Sequence, residues 1–173
     1  MDKSTPLHLQ DVIFSSSNSV ISRAISKLEK SGEIKKIAPR VYTPAIDESP
    51  EIIIRRNLFK IIGHLFPGIM LSHRTALEFK PTSTGDMFLT SSSERKVRFP
   101  GITLNIMKGP APIDGDNLNT ELRASQAERA MLENLQESRK PGPKSKTLTI
   151  PEIEERLESI VRARGEKGLN EFR

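Results

Sequence analysis

The feature of this sequence that most constrains its fold is a helix that ends at a glycine and leads directly into a strand–turn–strand. Ser16-Ser17-Asn18-Ser19 is a cluster of residues that favour helix N-caps. Apolar residues then recur at the spacing of one buried helical stripe, and Gly32 follows where a helix end favours glycine. Residues 33–37 and 40–43 predict two short strands around a turn at Ala38-Pro39. The predicted stripe consists of Val20, Ile21, Ala24, Ile25 and Leu28.

A short helix is also predicted over Leu9–Phe14, before this segment. The order helix, turn, helix, glycine and β-hairpin is typical of a winged helix-turn-helix. The polar stretch 47–50, bounded by prolines, predicts a linker. We therefore predict a winged-helix domain over 1–47, an α+β domain over 48–138, and a basic linker with C-terminal helices over 139–173.

The second and third predicted domains give an α+β fold class. A helix is predicted over Ile52–Leu65 and a short one from Ser72 to Phe79. Strands over 87–90, 95–99 and 103–107 predict a small antiparallel sheet, followed by a loop over 108–119. A helix is predicted over Glu121–Leu135. A last helix opens with the capping box Thr149–Glu152 and is interrupted at Gly165.

Composition excludes several classes of protein. The chain has no cysteine, which excludes disulfides, thiol nucleophiles and sulfur-ligated zinc. No apolar run reaches the ~18 residues of a membrane span, and the N-terminus lacks a secretory h-region, so a cytoplasmic location is expected. No triad, metal or cofactor spacing is present, so we predict neither an enzyme nor a cofactor.

Positive charge is concentrated around the predicted helix and hairpin. Residues 18–44 carry six Lys or Arg and two Glu, so most of the net charge of +5 lies there. Small hydroxyls allow a helix to approach a DNA groove closely, and arginine can recognise guanine. We predict groove contacts by Ser19, Ser22, Arg23, Ser26 and Lys27, and phosphate contacts by Lys35, Lys36 and Arg40. A solvated helix face with a structural hairpin is the alternative.

Three segments resemble AbiEi-type antitoxins and transcriptional regulators. SVISRAISKLEKSGEIKKIAPRVYTP is similar to their N-terminal winged helix, with matches at Leu28, Gly32, Lys35, Lys36, Val41 and Tyr42. FPGIMLSHRTALE and FPGITLNIMKGPAP resemble the portion that follows. ASQAERAMLENLQESR and IEERLESIVRARGEKGLNEFR resemble the region that joins such a winged helix to a Fic domain in some bacterial proteins. The resemblance implies a DNA-binding regulator of a toxin–antitoxin operon.

The sequence departs from these families in two ways. Only eight residues precede Leu9, too few for the first helix of a full winged helix. The Fic motif, His-Pro-Phe followed by Gly-Asn-Gly-Arg, is missing, so the resemblance implies a regulatory portion rather than the transferase. The alternative function is a protein-interaction module that neutralises a toxin or restrains a Fic-type enzyme. A hydrolase built around His73 and Asp86 is disfavoured.

Several other residues have both a functional and a structural interpretation. His73 and Arg74, at a helix start, could hold an anion, but local capping and packing is the favoured interpretation. Asp114 and Asp116 suit a turn, and Arg129, Glu133 and Asn134 suit either a helix face or a loop anchor. The basic spacer 139–146 could follow a phosphate backbone or be a solvated linker. Apolar stripes on the C-terminal helices lead us to expect a homodimer.

Overall fold

The computed structural model describes residues 11–114, 116–119, 122–135, 143 and 146–165. The chain divides into two compact units. The first extends to Leu65 and includes Phe99–Ile102, and the second comprises Phe66–Arg98 and the chain from Thr103 onward. Helices and two separate sheets make up the described residues, which confirms the α+β class.

The first unit contains a small antiparallel sheet and three helices. Its elements are β1 (Ile13–Phe14), α1 (Ser19–Ser31), β2 (Lys35–Ala38), β3 (Val41–Thr43), α2 (Pro50–Arg56) and α3 (Leu58–Leu65). The strand order is β1-β3-β2. The predicted helix before Gly32 and the hairpin after it are confirmed, and Gly32 adopts φ 78° at the end of α1.

The helix predicted over Leu9–Phe14 is wrong where the structure describes it. Ile13 pairs with Tyr42 and Phe14 pairs with Val41, so this segment is the strand β1; residues 9 and 10 lie outside the described part. The Ser15 N–H donates to the Arg40 carbonyl at 3.0 Å. The free edge of the hairpin offers unpaired backbone groups, and an extended segment can satisfy them where a helix cannot.

The predicted buried stripe of α1 is only partly buried. Ile25 is 5% exposed and Leu28 is half-buried, whereas Val20 is 69% exposed and Ile21 and Ala24 are also exposed. The strands of this unit are two to four residues long. So small a sheet offers little apolar surface to α1, and Val20, Ile21 and Ala24 stay exposed.

Two helices replace the single predicted helix over Ile52–Leu65. They meet at Asn57, whose side-chain amide donates to the Ile53 carbonyl at 3.0 Å. Arg56 forms ion pairs with Asp11 and Glu48, each at 2.8 Å. These contacts tie α2 to the chain around β1, and the first compact unit continues to Leu65.

The second unit is built on a sheet of six strands in the order β6-β7-β5-β4-β9-β8. Its elements are β4 (Met70–Leu71), α4 (His73–Glu78), β5 (Asp86–Ser91), β6 (Arg95–Phe99), β7 (Ile102–Lys108), β8 (Asn117–Asn119), β9 (Leu122–Ala124), α5 (Ala127–Leu135) and α6 (Ile150–Arg164). The helix α4 packs against both α5 and β5.

This sheet is mixed, so the predicted antiparallel sheet is wrong. β5 runs parallel to β7 from Asp86↔Thr103 to Ser91↔Lys108, and β4 runs parallel to β9. The strand that follows β5 in sequence, β6, lies outside β7 at the sheet edge. β7 therefore takes the place beside β5, and its direction becomes parallel.

The loop predicted over 108–119 and the helix predicted over Glu121–Leu135 both need correction. Residues 117–119 form β8, and Leu122–Ala124 form β9, so the helix α5 begins only at Ala127. Leu122 and Ala124 are buried on either side of the exposed Arg123. That alternation has the period of a strand.

The last helix, α6, has the predicted capping box at its start. The Thr149 N–H donates to the Glu152 carboxylate at 2.8 Å, and Gly165 ends the helix. Arg74 pairs with Glu152, and Arg156 pairs with Glu78 at 3.3 Å, so α6 packs on α4 within the second unit. Most of the basic spacer 139–146 lies outside the described residues. None of the described helices has the length and apolar character that membrane crossing requires.

Candidate nucleic-acid interface

The start of α1 is fixed by the serine and asparagine residues that precede it. The Asn18 Oδ1 accepts a hydrogen bond from the Val20 N–H at 2.9 Å, which caps the helix. The Ser16 Oγ accepts from the Asn18 N–H at 3.1 Å, and the Ser22 hydroxyl donates to the Ser16 carbonyl at 2.8 Å. The local sequence therefore sets the first residue of α1.

One face of α1 is basic, hydroxyl-bearing and open to solvent. We call this face the α1 basic face; its members are Ser19, Arg23, Ser26, Lys27 and Lys30, all exposed. At about 100° per residue, Arg23 and Lys27 lie roughly opposite the buried Ile25. Within the described part of the chain, none of these five side chains makes a hydrogen bond or ion pair with another residue. Their charges and hydroxyls are therefore available to a partner.

Ser22 differs from the other predicted groove residues. It is half-buried, and its hydroxyl donates to the Ser16 carbonyl. That hydrogen bond holds the segment before α1 against the helix. We assign Ser22 a positioning role at the base of the α1 basic face and leave it out of the face itself.

The hairpin brings two of the three predicted phosphate contacts to the surface. Lys36 and Arg40 are exposed, and Arg40 sits in the β2–β3 turn with φ 66°. The Lys35 ammonium instead donates to the backbone carbonyls of Ile46 and Glu48. Lys35 therefore fastens β2 to the segment before α2, an arrangement that the sequence pattern did not indicate.

Acidic side chains are few around this surface. Glu29 lies roughly 120–160° around the helix axis from Arg23 and Lys27. Glu33 follows the end of α1, where its carboxylate accepts from the Ser31 hydroxyl at 2.7 Å. Since the exposed positive charges of α1 and the hairpin outnumber these two acids, the local potential favours a polyanion.

Sequence reasoning missed two apolar neighbours of the α1 basic face. Val20 and Ala24, predicted as core, are exposed and lie beside Arg23 and Lys27 at the i, i+3, i+4, i+7 spacing of one helical stripe. Their apolar character made burial the natural prediction. The short strands that follow Gly32 were the available signal that little apolar surface would cover α1.

The second unit contains a cluster of buried and partly buried polar side chains, which we call the polar cluster. Arg129 lies at its centre: its guanidinium donates to Asp116 at 2.8 Å and to Glu133 at 3.2 Å. The Glu133 carboxylate also accepts from the His73 N–H at 2.9 Å and from the Ser125 hydroxyl at 3.1 Å. These bonds join α4 and α5 to the segment that follows β9, so Arg129 and Glu133 lie on a helix and also anchor neighbouring segments.

His73 has a structural environment. Its N–H at the start of α4 is satisfied by Glu133, and its Nδ1 lies 3.1 Å from the Ser72 hydroxyl. Burial, together with the positive charge of Lys146, lowers the pKa of His73 to about 4. The Glu133 carboxylate lies 4.0 Å from Nδ1, but it also accepts from the Arg129 Nε–H, so its charge is already partly balanced. His73 is therefore neutral at pH 7.

The remaining candidates are also held by local contacts. The Asp116 carboxylate accepts from the Ile113 N–H at 2.8 Å, which confirms the turn interpretation for Asp116. The Asn134 side chain accepts from the Leu148 N–H at 3.0 Å and so anchors the start of α6. Asp86 is bound by Asn105 and Thr84, apart from the partners of His73. Among the described residues, no three potential ligands are grouped to hold a metal.

Comparison of the chain with protein-family models, with curated proteins and with solved structures gives no match. Its function is therefore inferred from its own residues, and the α1 basic face is the candidate site.

Proposed function

We propose that this chain binds duplex DNA as a transcriptional regulator of the AbiEi-antitoxin type and regulates its own operon. The observation that carries the proposal is the α1 basic face, in which Arg23 and Lys27 are exposed and unengaged among the described residues. An α-helix fits the major groove, which is ~12 Å wide, and α1 at 13 residues is about 20 Å long. Serine hydroxyls beside two cations supply both base-edge and phosphate contacts.

We infer that β1, α1 and the β2–β3 hairpin form the core of a winged helix. Supporting this, the second strand of the hairpin pairs with a strand that precedes the helix, in the order β1-β3-β2. On this view α1 enters the groove, while Lys36 and Arg40 of the hairpin contact phosphates alongside. Within the described residues α1 is preceded by β1 instead of the predicted helix, so the helix-turn-helix pairing is not part of the proposal.

The test compares two double variants of equal charge. Arg23→Ala/Lys27→Ala removes two cations from the α1 basic face, and Lys80→Ala/Arg162→Ala removes two exposed cations from the second unit. Binding to random-sequence duplex DNA is measured by fluorescence anisotropy at several salt concentrations. Loss of two phosphate neutralisations reduces the slope of log K against log[salt] by about 1.8.

We expect weaker binding and the shallower slope for the first variant and near-native values for the second. Equal losses in both variants would mean that DNA association depends only on net charge. An unchanged Arg23→Ala/Lys27→Ala variant would overturn the proposal. Circular dichroism of each variant controls for folding.

A second candidate function, binding of a partner protein, is favoured by a different observation. Leu132 and Leu135 of α5 and Ile150 of α6 are large apolar side chains left exposed. They suit either a second copy of the chain or a toxin that the chain neutralises. Light scattering of wild type and Leu132→Lys/Leu135→Lys distinguishes these. A dimer that dissociates in the variant indicates self-association, and a monomer in both contradicts the expected homodimer.

A further inference from the structure

The exposed Val20 is an exception within the surface formed by the α1 basic face. It is 69% exposed, the members of the face are polar or charged, and it occupies the first turn of α1. A β-branched residue at an exposed helical position is also unfavourable for the helix itself, because its χ1 freedom is restricted there. Neither core packing nor helix propensity therefore explains a valine at this position.

The neighbours of Val20 define what could cover it. Arg23 and Lys27 follow it on the same stripe at i+3 and i+7, and Ser19 precedes it. A partner that covers Val20 must also accept two positive charges within about 10 Å along the helix axis. An apolar protein surface would leave these charges without water or a counter-charge, which is costly. A polyanion that presents small apolar groups between its charges fits this combination.

Duplex DNA presents one such group in its major groove, the 5-methyl of thymine. Where a helix enters the groove, its N-terminal residues contact the base edges. Val20 is in the first turn of α1, and Ala24 lies one turn further along the same stripe. Two apolar side chains about 6 Å apart along the axis match the separation of roughly two base pairs.

We propose that Val20, with Ala24 behind it, recognises thymine through its 5-methyl group, and that the preferred duplex therefore has a thymine at this position. This rests on the proposed function, because it assigns a base preference to the same helix. Arg23 and Lys27 supply affinity and alternative base contacts, and Val20 makes the site selective for thymine over cytosine or unmethylated uracil.

The test removes the methyl group alone. A duplex preferred by the full chain is selected from a random-sequence pool, and each thymine is replaced in turn by deoxyuridine. Deoxyuridine keeps all base-pairing groups and lacks only the methyl. Binding is measured for wild type, for Val20→Ala, and for Ile52→Ala as a control that shortens an exposed β-branched residue of the same unit.

We expect one or two positions at which deoxyuridine weakens wild-type binding about fourfold for each methyl group no longer buried. At the position that faces Val20, Val20→Ala shows a smaller difference between thymine and deoxyuridine duplexes than wild type, because alanine keeps one methyl group of the valine side chain. Ile52→Ala retains the wild-type difference. A bound duplex that is insensitive to every replacement, or a Val20→Ala chain that keeps the full wild-type difference at every position, overturns this inference and leaves the proposed function standing. Recovery of no duplex overturns both.

Discussion

Replacing Glu133 with alanine should lower the free energy of unfolding by about 3 kcal/mol, because this carboxylate is the shared acceptor of the polar cluster. It accepts from the His73 N–H at 2.9 Å, the Ser125 hydroxyl at 3.1 Å and the Arg129 Nε at 3.2 Å. The side chains of Glu133 and Arg129 are only 14% and 18% exposed. Water therefore has little access to the groups left behind.

The magnitude follows from what each donor loses. The buried N–H of His73, left without an acceptor, costs about 1–3 kcal/mol. Removing one partner of a buried ion pair costs about 3–5 kcal/mol. Arg129 keeps its second partner, Asp116, at 2.8 Å, which places the total near the lower end of that range. At roughly 2–4 °C per kcal/mol, the melting temperature should fall by about 6–12 °C.

Urea unfolding monitored by circular dichroism measures the change, which should appear in the transition of the unit containing α5. The matched control is Glu158→Ala. Glu158 pairs with Arg162 at the same i,i+4 spacing on α6, but these side chains are 65% and 76% exposed. That pair should contribute no more than about 0.5 kcal/mol. The reasoning is refuted if the two variants lose the same stability to within about 0.5 kcal/mol.

Three further predictions concern residues that the structure places in specific local environments. Burial lowers the pKa of His73 from the ordinary histidine value of 6.5 to about 4. Between these two pH values the unfolded chain binds a proton that the folded chain does not, so the free energy of unfolding falls by up to about 3 kcal/mol as the pH decreases. His73→Asn, which tolerates the φ of 51°, should flatten that part of the curve of unfolding free energy against pH; parallel curves would contradict it. Gly32→Ala should lower the free energy of unfolding in urea by about 1 kcal/mol. The space around an added Cβ is open, but the φ of 78° is unfavourable for alanine. A gain in stability would contradict the assigned helix end. Lys35→Met should lower the free energy of unfolding by about 1 kcal/mol, because the carbonyls of Ile46 and Glu48 lose their donor. Lys36→Met should weaken DNA binding and leave the stability unchanged. The opposite result for the two variants would contradict the roles assigned to these lysines.

Features that depend on neighbouring residues were predictable from the sequence. The N-cap before α1, Gly32 at its end, the hairpin and the Thr149–Glu152 capping box all depend on residues within a few positions of one another. Physical preferences at that range are strong enough to appear in a single sequence. The same holds for the presence of β5, β6 and β7, whose apolar runs and turns mark them as strands.

Features that depend on distant partners were not predictable. The parallel pairing of β5 with β7 and of β4 with β9 joins strands that are not consecutive in the sequence, so no local pattern specifies it. The segment 13–14 becomes a strand only because the hairpin leaves an edge for it. For the candidate site, the sequence indicated the basic face, but the exposure of Val20 and the attachment of Lys35 to carbonyls depend on tertiary packing.

The turn between β2 and β3 has a consequence for how this chain could be improved or degraded by substitution. Arg40 occupies a left-handed conformation with φ 66°, which disfavours a non-glycine residue by about 1 kcal/mol. A glycine there would relax the backbone and remove the guanidinium at the tip of the hairpin. Stability alone therefore favours glycine at the tip, whereas the proposed phosphate contact requires the guanidinium of Arg40, so the two demands oppose each other at this one position.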